Sequence, residues 1–434
     1  MAFFLHGVHV PHRKNTAQEK PVMFDSPKSV TLPTVMHIGA PAIPAVKVGD
    51  EVFVGTLIAE QNGEISSPVY ASVSGKVTKI DDILLSNGRT CPAITIESDG
   101  EMTRDPDIKA PTVNSKEDLI LAVKKSGIVG LGGAGFPSYV KLNVPEGKVD
   151  TLLINGAECE PYITSDSHTM IDRADDMEEA IRAIVKYIGV SRVIIGIENN
   201  KKEAIAKMKA LSEKIDCMEV KVLPSVYPQG GEKVLVYHTT GRVIAAGKLP
   251  SDVGCIVLNC TTVAAIGKYL KTGMPLTNKC VTVDGGALNK CGNVIVPIGT
   301  PVGDLIEFLG GFKSEPAKVL YGGPMMGISV PDLTAPVLKN TNAVIAMDEK
   351  EAKPPVETSC ISCGACANHC PLRLDPAAYA KAYQHGDMDR LRKLRVDICM
   401  ECGCCSYICP AKRPLVQTNK LAKAALREAD SKKQ

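Results

Sequence analysis

CISCGACANHCP at residues 360–371 and CMECGCCSYICP at residues 399–410 are two copies of one spacing, C-x2-C-x2-C-x3-C-P. Three thiolates within seven residues and a fourth three residues later suit an iron–sulfur cluster, as in bacterial ferredoxins. Tetrahedral zinc asks instead for two C-x2-C pairs or Cys/His mixtures. Disulfides require an exported chain, and residues 1–4 carry neither the charged segment nor the apolar core of a leader. The chain therefore reads as ending in a domain with two [4Fe–4S] clusters, its metal ligands Cys360, Cys363, Cys366, Cys370, Cys399, Cys402, Cys405 and Cys409. In such double runs the fourth cysteine serves the other cluster. The expected sets are Cys360, Cys363 and Cys366 with Cys409, and Cys399, Cys402 and Cys405 with Cys370. Cys404 falls outside the register and reads as a packed or hydrogen-bonding thiol, with a ligand role beside Cys405 as the alternative. Seven further cysteines, at 91, 159, 217, 255, 260, 280 and 291, share no spacing and read mostly as small buried residues. Reduced thiols with clusters point to the cytoplasm.

The 434 residues allow about three domains, and 44% hydrophobic with 23% charged residues is ordinary for a soluble globular protein. A net charge of +2 offers no basic excess to neutralise phosphates, and seven Phe with no Trp offer few stacking platforms. Nucleic acid is not an expected partner. Long uncharged stretches such as residues 253–267 are too short for a span, and this one carries Asn259, Thr261 and Thr262. Any work at a membrane is done by docking onto partners.

Punctuation divides the chain into a multidomain α+β and α/β arrangement. Residues 1–110 hold short β-type runs (52–59, 69–73, 76–80, 93–97) cut by Gly and Pro. Their segments VKVGDEVFVGTLIAE and SPVYASVSGKVTKI resemble the barrel-sandwich of biotinyl and lipoyl domains. The turn that carries a modified lysine in those domains is here Gln61-Asn62-Gly63-Glu64. Residues 115–265 read as α/β, with helical spacing at 119–125, 177–188 and 202–215 and strand-like runs at 151–154, 192–197 and 220–223. Residues 266–350 return to strands (279–283, 293–297) with one helix at 302–309. The cluster domain follows at 351–415, with 376–395 helical, and then a basic helix at 416–434 with Leu421, Ala424 and Ala425 on one face, a packing or docking stripe.

Gly130-Leu131-Gly132-Gly133-Ala134-Gly135 matches G-x-G-x-x-G, but a helical segment precedes it and a strand comes only later, so the dinucleotide fingerprint fails on context. Glycines this dense still let backbone N–H groups approach a phosphate or a flat ring, and Pro137 suits the first turn of a helix facing an anion. A tight connection with no ligand is the alternative.

GLGGAGFPSYVKL (130–142), INGAECEP (154–161) and YPQGGEKVLV (227–236) resemble the flavin- and NADH-binding subunit of respiratory complex I and its relatives. The order of parts, β-rich start, flavin domain, ubiquitin-like β-grasp domain at about 268–315 and two-cluster ferredoxin domain, is similar to the C-subunit family of Rnf complexes, as is the opening GVHVPH with Lys20-Pro21. The resemblance implies FMN and nucleotide at Gly130, Gly132, Gly133, Gly135 and Phe136, with Lys141 on the following helix. It carries over Asn155, Glu158 and Glu160 from the family's NADEGEP, while Ala157 and Cys159 depart from it. It carries over Gly230 and Glu232 from GEE, while Gly231 lacks the first acid. By themselves such charged loop residues read as solvated.

The implied protein is a peripheral subunit on the cytoplasmic face of the membrane, with no transmembrane segment of its own. It passes electrons between NAD(H), FMN and two [4Fe–4S] clusters, beside membrane-embedded and iron–sulfur Rnf subunits and indirectly with ferredoxin. NADH gives a hydride and a cluster takes one electron, so a flavin converter is needed. Two alternatives stand beside it: a soluble flavin and iron–sulfur reductase resembling cobalamin reductases, and a clusters-only relay scaffold whose flavin site has decayed at Ala157 and Gly231. His6, His9 and His12 are interrupted by Gly7 and Pro11 and read as packing or docking residues rather than metal ligands. Tyr321-Gly322-Gly323-Pro324-Met325-Met326-Gly327 reads equally as a ligand-approaching loop or a plain turn.

Overall fold

Alternating β-branched residues build the first layer of the chain. In this computed structural model, which describes residues 6–432, strands Ser29–Pro33, Thr90–Ser98, Gly75–Leu84 and Glu51–Val52 pair antiparallel in that order. A second sheet joins Ile43–Pro44, Leu57–Glu60 and Val69–Tyr70. Val30, Leu32, Val77, Ile94 and Ile96 turn inward while Lys76 and Lys79 face water, the period-two pattern of a sheet with one packed face. The expected single strand at 52–59 is two strands, because the chain turns at Gly55 (φ +99°), where a Cβ would stand 2.3 Å from Ile108 Cδ1. The turn at 61–64 is tied to the next domain: Gln61 Nε2 donates to the Tyr139 hydroxyl at 2.8 Å, and that hydroxyl donates to the Glu64 carbonyl.

The described part of the opening arm pairs with elements outside these two sheets; the leader reading at 1–4 lies outside the described residues. Val8 pairs antiparallel with Tyr227 through bonds of 2.9 and 3.0 Å, Tyr162 N donates to the His12 carbonyl at 3.0 Å, and Val22–Met23 adds a parallel edge to strand Gly292–Pro297. An extended segment must place its backbone donors and acceptors somewhere, and here they pair with the two following domains.

The α/β domain is a four-stranded parallel sheet in the order Met218–Leu223, Arg192–Glu198, Thr151–Gly156, Cys255–Asn259. Its inner strands are apolar on both faces because helices cover both sides. The edge strand Cys255–Asn259 was hidden in an uncharged stretch; it runs into helix Cys260–Thr272, capped by Asn259, whose Oδ1 accepts from Thr261 N at 2.9 Å and Thr262 N at 3.3 Å. The third domain centres strand Ala343–Met347 between Asn278–Asp284 and Lys318–Tyr321, with helix Val302–Phe308 against the sheet's Val281, Val283, Val294 and Val296.

Two expectations for the cluster domain change. The helix expected at 376–395 breaks into Pro376–Gln384 and Met388–Lys393, because Gly386 turns left-handed (φ +65°) and Asp387 starts a new helix by accepting from Arg390 N at 2.8 Å. Helix Leu415–Ser431 buries Leu415, Val416, Asn419, Ala422 and Leu426, while Leu421 is 55% exposed and Ala424 also faces water. The i, i+3 and i+4 ladder from Leu415 wins over the stripe expected at Leu421. Among the described residues no helix is long and apolar enough to cross a membrane.

Candidate flavin cavity and cluster site

A cavity of about 430 Å3 opens where the parallel sheet's C-terminal edge meets the glycine loop. Gly130, Gly132, Gly133, Gly135, Phe136, Lys141, Asn155, Glu158, Glu160, Gly230 and Glu232 all line it. The loop that carries five of them is shaped by contacts from three directions. Leu131 N donates to Thr262 Oγ1 at 3.0 Å, Asn340 Nδ2 donates to the Gly133 carbonyl at 2.9 Å, and the buried Lys279 ammonium donates to the Leu131 carbonyl. Burial pushes Lys279 down to about 8, partly offset by Asp166. Gly132 cannot carry a side chain, since a Cβ would meet Asn259 Nδ2 at 2.4 Å, and Gly135 is left-handed at φ +72°. The helix that starts after Pro137, Ser138–Leu142, has only five residues. Ser138 is fully buried in the cavity wall and its hydroxyl has no partner among the described residues. An orphaned donor beside the exposed Gly132 and Gly133 fits an anionic group such as the phosphate of FMN.

The acids behave differently from one another. Glu158 is buried and left-handed (φ +47°); its carboxylate accepts from Asp166 N at 2.6 Å and from the Ser167 hydroxyl, capping helix Ser165–Asp172. Burial raises its pKa, with Lys14 and Lys201 pulling the other way. Glu160 accepts from Met325 N at 3.1 Å and Met326 N at 2.9 Å, so it seats the glycine-rich turn of the third domain against the cavity, where Met326 lines the wall. Burial pushes Glu160 up to about 7, held back by those two amides. Asn155 bonds the Gly230 carbonyl at 2.9 Å and accepts from Ala157 N at 3.2 Å. Cys159, in place of a glycine, accepts from Gly230 N at 3.3 Å and keeps an ordinary backbone; burial pushes its thiol up to about 12. Lys141 pairs with Glu232 at 3.2 Å and donates to the Val257 carbonyl at 3.1 Å.

Sequence reasoning missed the cations beneath this loop. Lys14, from the opening arm, donates to the carbonyls of Glu158 at 2.9 Å and Glu160 at 2.8 Å, and burial lowers it to about 8. Lys201 donates to the Glu158 carbonyl at 3.3 Å and pairs with Glu198 at 3.1 Å, both side chains almost fully buried. Only the distance along the chain hides Lys14: nothing local marks a lysine that will be buried 144 residues away.

The cysteines gather as two sets. Cys360, Cys363, Cys366 and Cys409 line an open cavity of about 530 Å3, whereas Cys370, Cys399, Cys402, Cys404 and Cys405 line a nearly closed one of about 20 Å3. The grouping follows the crossed arrangement expected of a two-cluster ferredoxin, with Cys404 as a fifth thiol at the smaller cavity. No three His, Cys, Asp or Glu among the described residues converge on a single-ion site. Cys404 is buried and its thiol donates to the Tyr227 carbonyl at 3.7 Å, while the Tyr227 hydroxyl donates to the Cys402 carbonyl at 2.7 Å. His6 and His9 line a surface groove with His238 and His369; His12 does not.

Comparison with known proteins agrees with these parts. Residues 2–101 match the RnfC barrel sandwich hybrid domain, 123–268 the Nuo51 FMN-binding domain, 280–329 the SLBB domain and 358–416 the 4Fe-4S dicluster domain. The chain is 42% identical to the C subunit of the Na(+)-translocating ferredoxin:NAD(+) oxidoreductase complex of Acetobacterium woodii, over 97% of this chain and 96% of that one. It is 40% identical to the C subunit of the proton-translocating ferredoxin:NAD(+) oxidoreductase complex of Clostridium ljungdahlii, over 86% and 83%. It is 38% identical to the C subunit of the ion-translocating oxidoreductase complex of Rhodobacter capsulatus, over 98% and 84%. A solved NAD+-reducing [NiFe]-hydrogenase in its H2-reduced state shares the fold over 73% of this chain and 64% of its own, with TM-score 0.51 and 18% identity.

Proposed function

The chain belongs to the C-subunit family of ion-translocating ferredoxin:NAD+ oxidoreductase complexes and is a peripheral electron-transfer subunit of such a complex; we propose that it links NAD(H) to two [4Fe–4S] clusters through FMN held at the glycine loop. One contiguity carries this reading. Met400, between Cys399 and Cys402, lines the glycine-loop cavity and the closed cysteine cavity alike. The order that follows is cavity, inner set (Cys370, Cys399, Cys402, Cys405), outer set (Cys360, Cys363, Cys366, Cys409), then a partner.

Bound in the cavity, FMN would supply the exchange between a hydride and single electrons. The residues of the chain do the rest. The exposed Gly132 and Gly133 and the Ser138 hydroxyl suit the phosphate. Lys141, braced by Glu232, keeps a cation where a reduced, negatively charged ring is favoured. Glu158 and Glu160 shape the wall rather than offering free carboxylates, each being bonded to backbone amides. Cys360 and Cys363 are exposed, which suits exchange with a membrane-embedded or iron–sulfur partner at the cytoplasmic face.

Anaerobic purification, with released flavin identified and iron counted, tests this directly. The expected content is about eight irons, two cubane clusters, with one FMN per chain. Clusters without flavin would leave a relay scaffold, and a fully loaded protein that never co-purifies with membrane partners would favour a soluble reductase.

A further inference from the structure

Gly231 has no conformational reason to be glycine. It precedes helix Glu232–Thr240 at φ −63° and ψ 126°, a region open to every L-residue. What the site lacks is room while Met400 is seated: a Cβ there would stand 2.3 Å from Cε, the free end of the Met400 side chain, and 3.2 Å from the Pro228 carbonyl oxygen. Met400 arrives from the cluster domain and packs with Tyr227, Cys402 and Cys404. Among the described residues no other side chain lines both the glycine-loop cavity and the closed cysteine cavity. Gly403, in the loop that carries Met400, is left-handed at φ +83° and also close-packed, since a Cβ there would stand 2.9 Å from the carbonyl oxygen of Met325, whose amide is bonded to Glu160.

We propose that Gly231 and Met400 are a matched pair that sets how far the inner cysteine set stands from the glycine-loop cavity. The empty position at 231 is the slot in which the Met400 thioether seats. Seated there, it excludes water from the wall between the two cavities and fixes the loop that carries Cys399 and Cys402. This rests on the relay reading of the preceding subsection. Each NADH oxidised to NAD+ yields two electrons and one proton, and the two clusters together take up the pair, one electron each. A side chain at 231 displaces the Met400 thioether from this slot, so a loss falls on the passage from cavity to cluster.

The test uses the full chain with its clusters and flavin, in four forms: parent, Gly231→Leu, Met400→Ala and the double variant. Leu is chosen so that size changes without adding charge to the cavity. In anaerobic rapid mixing with NADH, Gly231→Leu should reduce clusters several-fold more slowly than the parent once its flavin has bleached, the flavin and cluster phases being timed separately. The double variant should recover most of that loss, the sign of two groups in contact. Parental cluster reduction in Gly231→Leu, or a double variant as slow as the single, would overturn the pairing. A second readout needs no NADH. In dithionite-reduced samples, Gly231→Leu should alter the EPR signal of the inner cluster, identified by its loss in Cys399→Ser, and leave the outer signal alone, with reversion in the double variant. A parent whose flavin NADH does not bleach overturns the relay reading instead; the pairing is then decided by this second readout, and an unaltered inner signal rejects it.

Discussion

Two cysteine runs of identical spacing end in opposite surroundings. The outer set keeps Cys360 and Cys363 exposed, with Ile361 between them 67% exposed. The inner set is roofed by helix Leu415–Ser431, whose buried Asn419 points Nδ2 at Cys399 Sγ (3.6 Å) and Cys405 Sγ (4.0 Å), while Lys423 donates to the Cys399 carbonyl at 2.8 Å. Ligand spacing therefore says which metal centre is held. Exposure and N–H···S bonds, which the spacing does not encode, set its potential and its place in a relay.

Loss of a ligand should disturb this contrast most. Cys409→Ala should remove the outer centre, about half of the iron, and leave the inner one, although Cys409 lies in the run that supplies the inner set. Loss of the inner EPR signal instead would mean that the runs are not crossed. Next comes the cavity. Lys141→Ala should slow NADH-driven reduction of both clusters by about 100-fold, the scale of removing one preorganised charge, while dithionite still reduces them; an unchanged NADH rate would separate Lys141 from the chemistry.

Asn419 tunes the contrast without removing either centre. Its N–H groups favour the more negative, reduced centre, so Asn419→Leu should lower the inner potential by roughly 60 mV, a tenfold change for one electron. The outer potential should stay in place, as redox titration followed by EPR would report. The smallest effect is one of stability. Glu160 is raised from 4.5 to about 7 by burial, so the folded state holds its proton more tightly than the unfolded state. Stability conferred at this position is present at low pH, falls as pH rises from about 4.5 to about 7, and is flat above. Glu160→Gln should lack that slope, and its Tm relative to the parent should rise by about 2–4 °C between pH 5 and pH 7.5 in thermal melts.

What the sequence revealed and what it hid have separate physical causes. The cysteines lie in two runs whose spacing alone marks them, whereas the eleven cavity residues lie in three separate motifs that only the family resemblance brought together. Lys339 shows the opposite case. It is 1% exposed, and its three protons go to Ser67 Oγ, the Pro68 carbonyl and the Gly127 carbonyl, joining the sandwich to the segment before the glycine loop. No local pattern marks it, because all its partners lie more than two hundred residues away. Lys14 and Lys279 were missed for the same reason. The pairing of the opening arm with Tyr227 and with strand Gly292–Pro297 is not legible, because an extended strand carries no record of which edge it will pair with. Gly386 was passed over within a helical pattern whose flanks were strong enough to hide one left-handed residue.

Everything above converges on a relay within one chain, from the cavity to the inner set and then to the outer. Its decisive test is anaerobic titration of the cluster-loaded protein with NADH, followed by visible and EPR spectra with each cluster identified by its cysteine variant. A working relay gives bleached flavin and reduced-cluster signals in the parent, and in Cys399→Ser a flavin that still bleaches while the outer cluster is no longer reduced by NADH. Clusters that answer only to dithionite, or an outer cluster still reduced by NADH at the parental rate without the inner one, would rule the relay out.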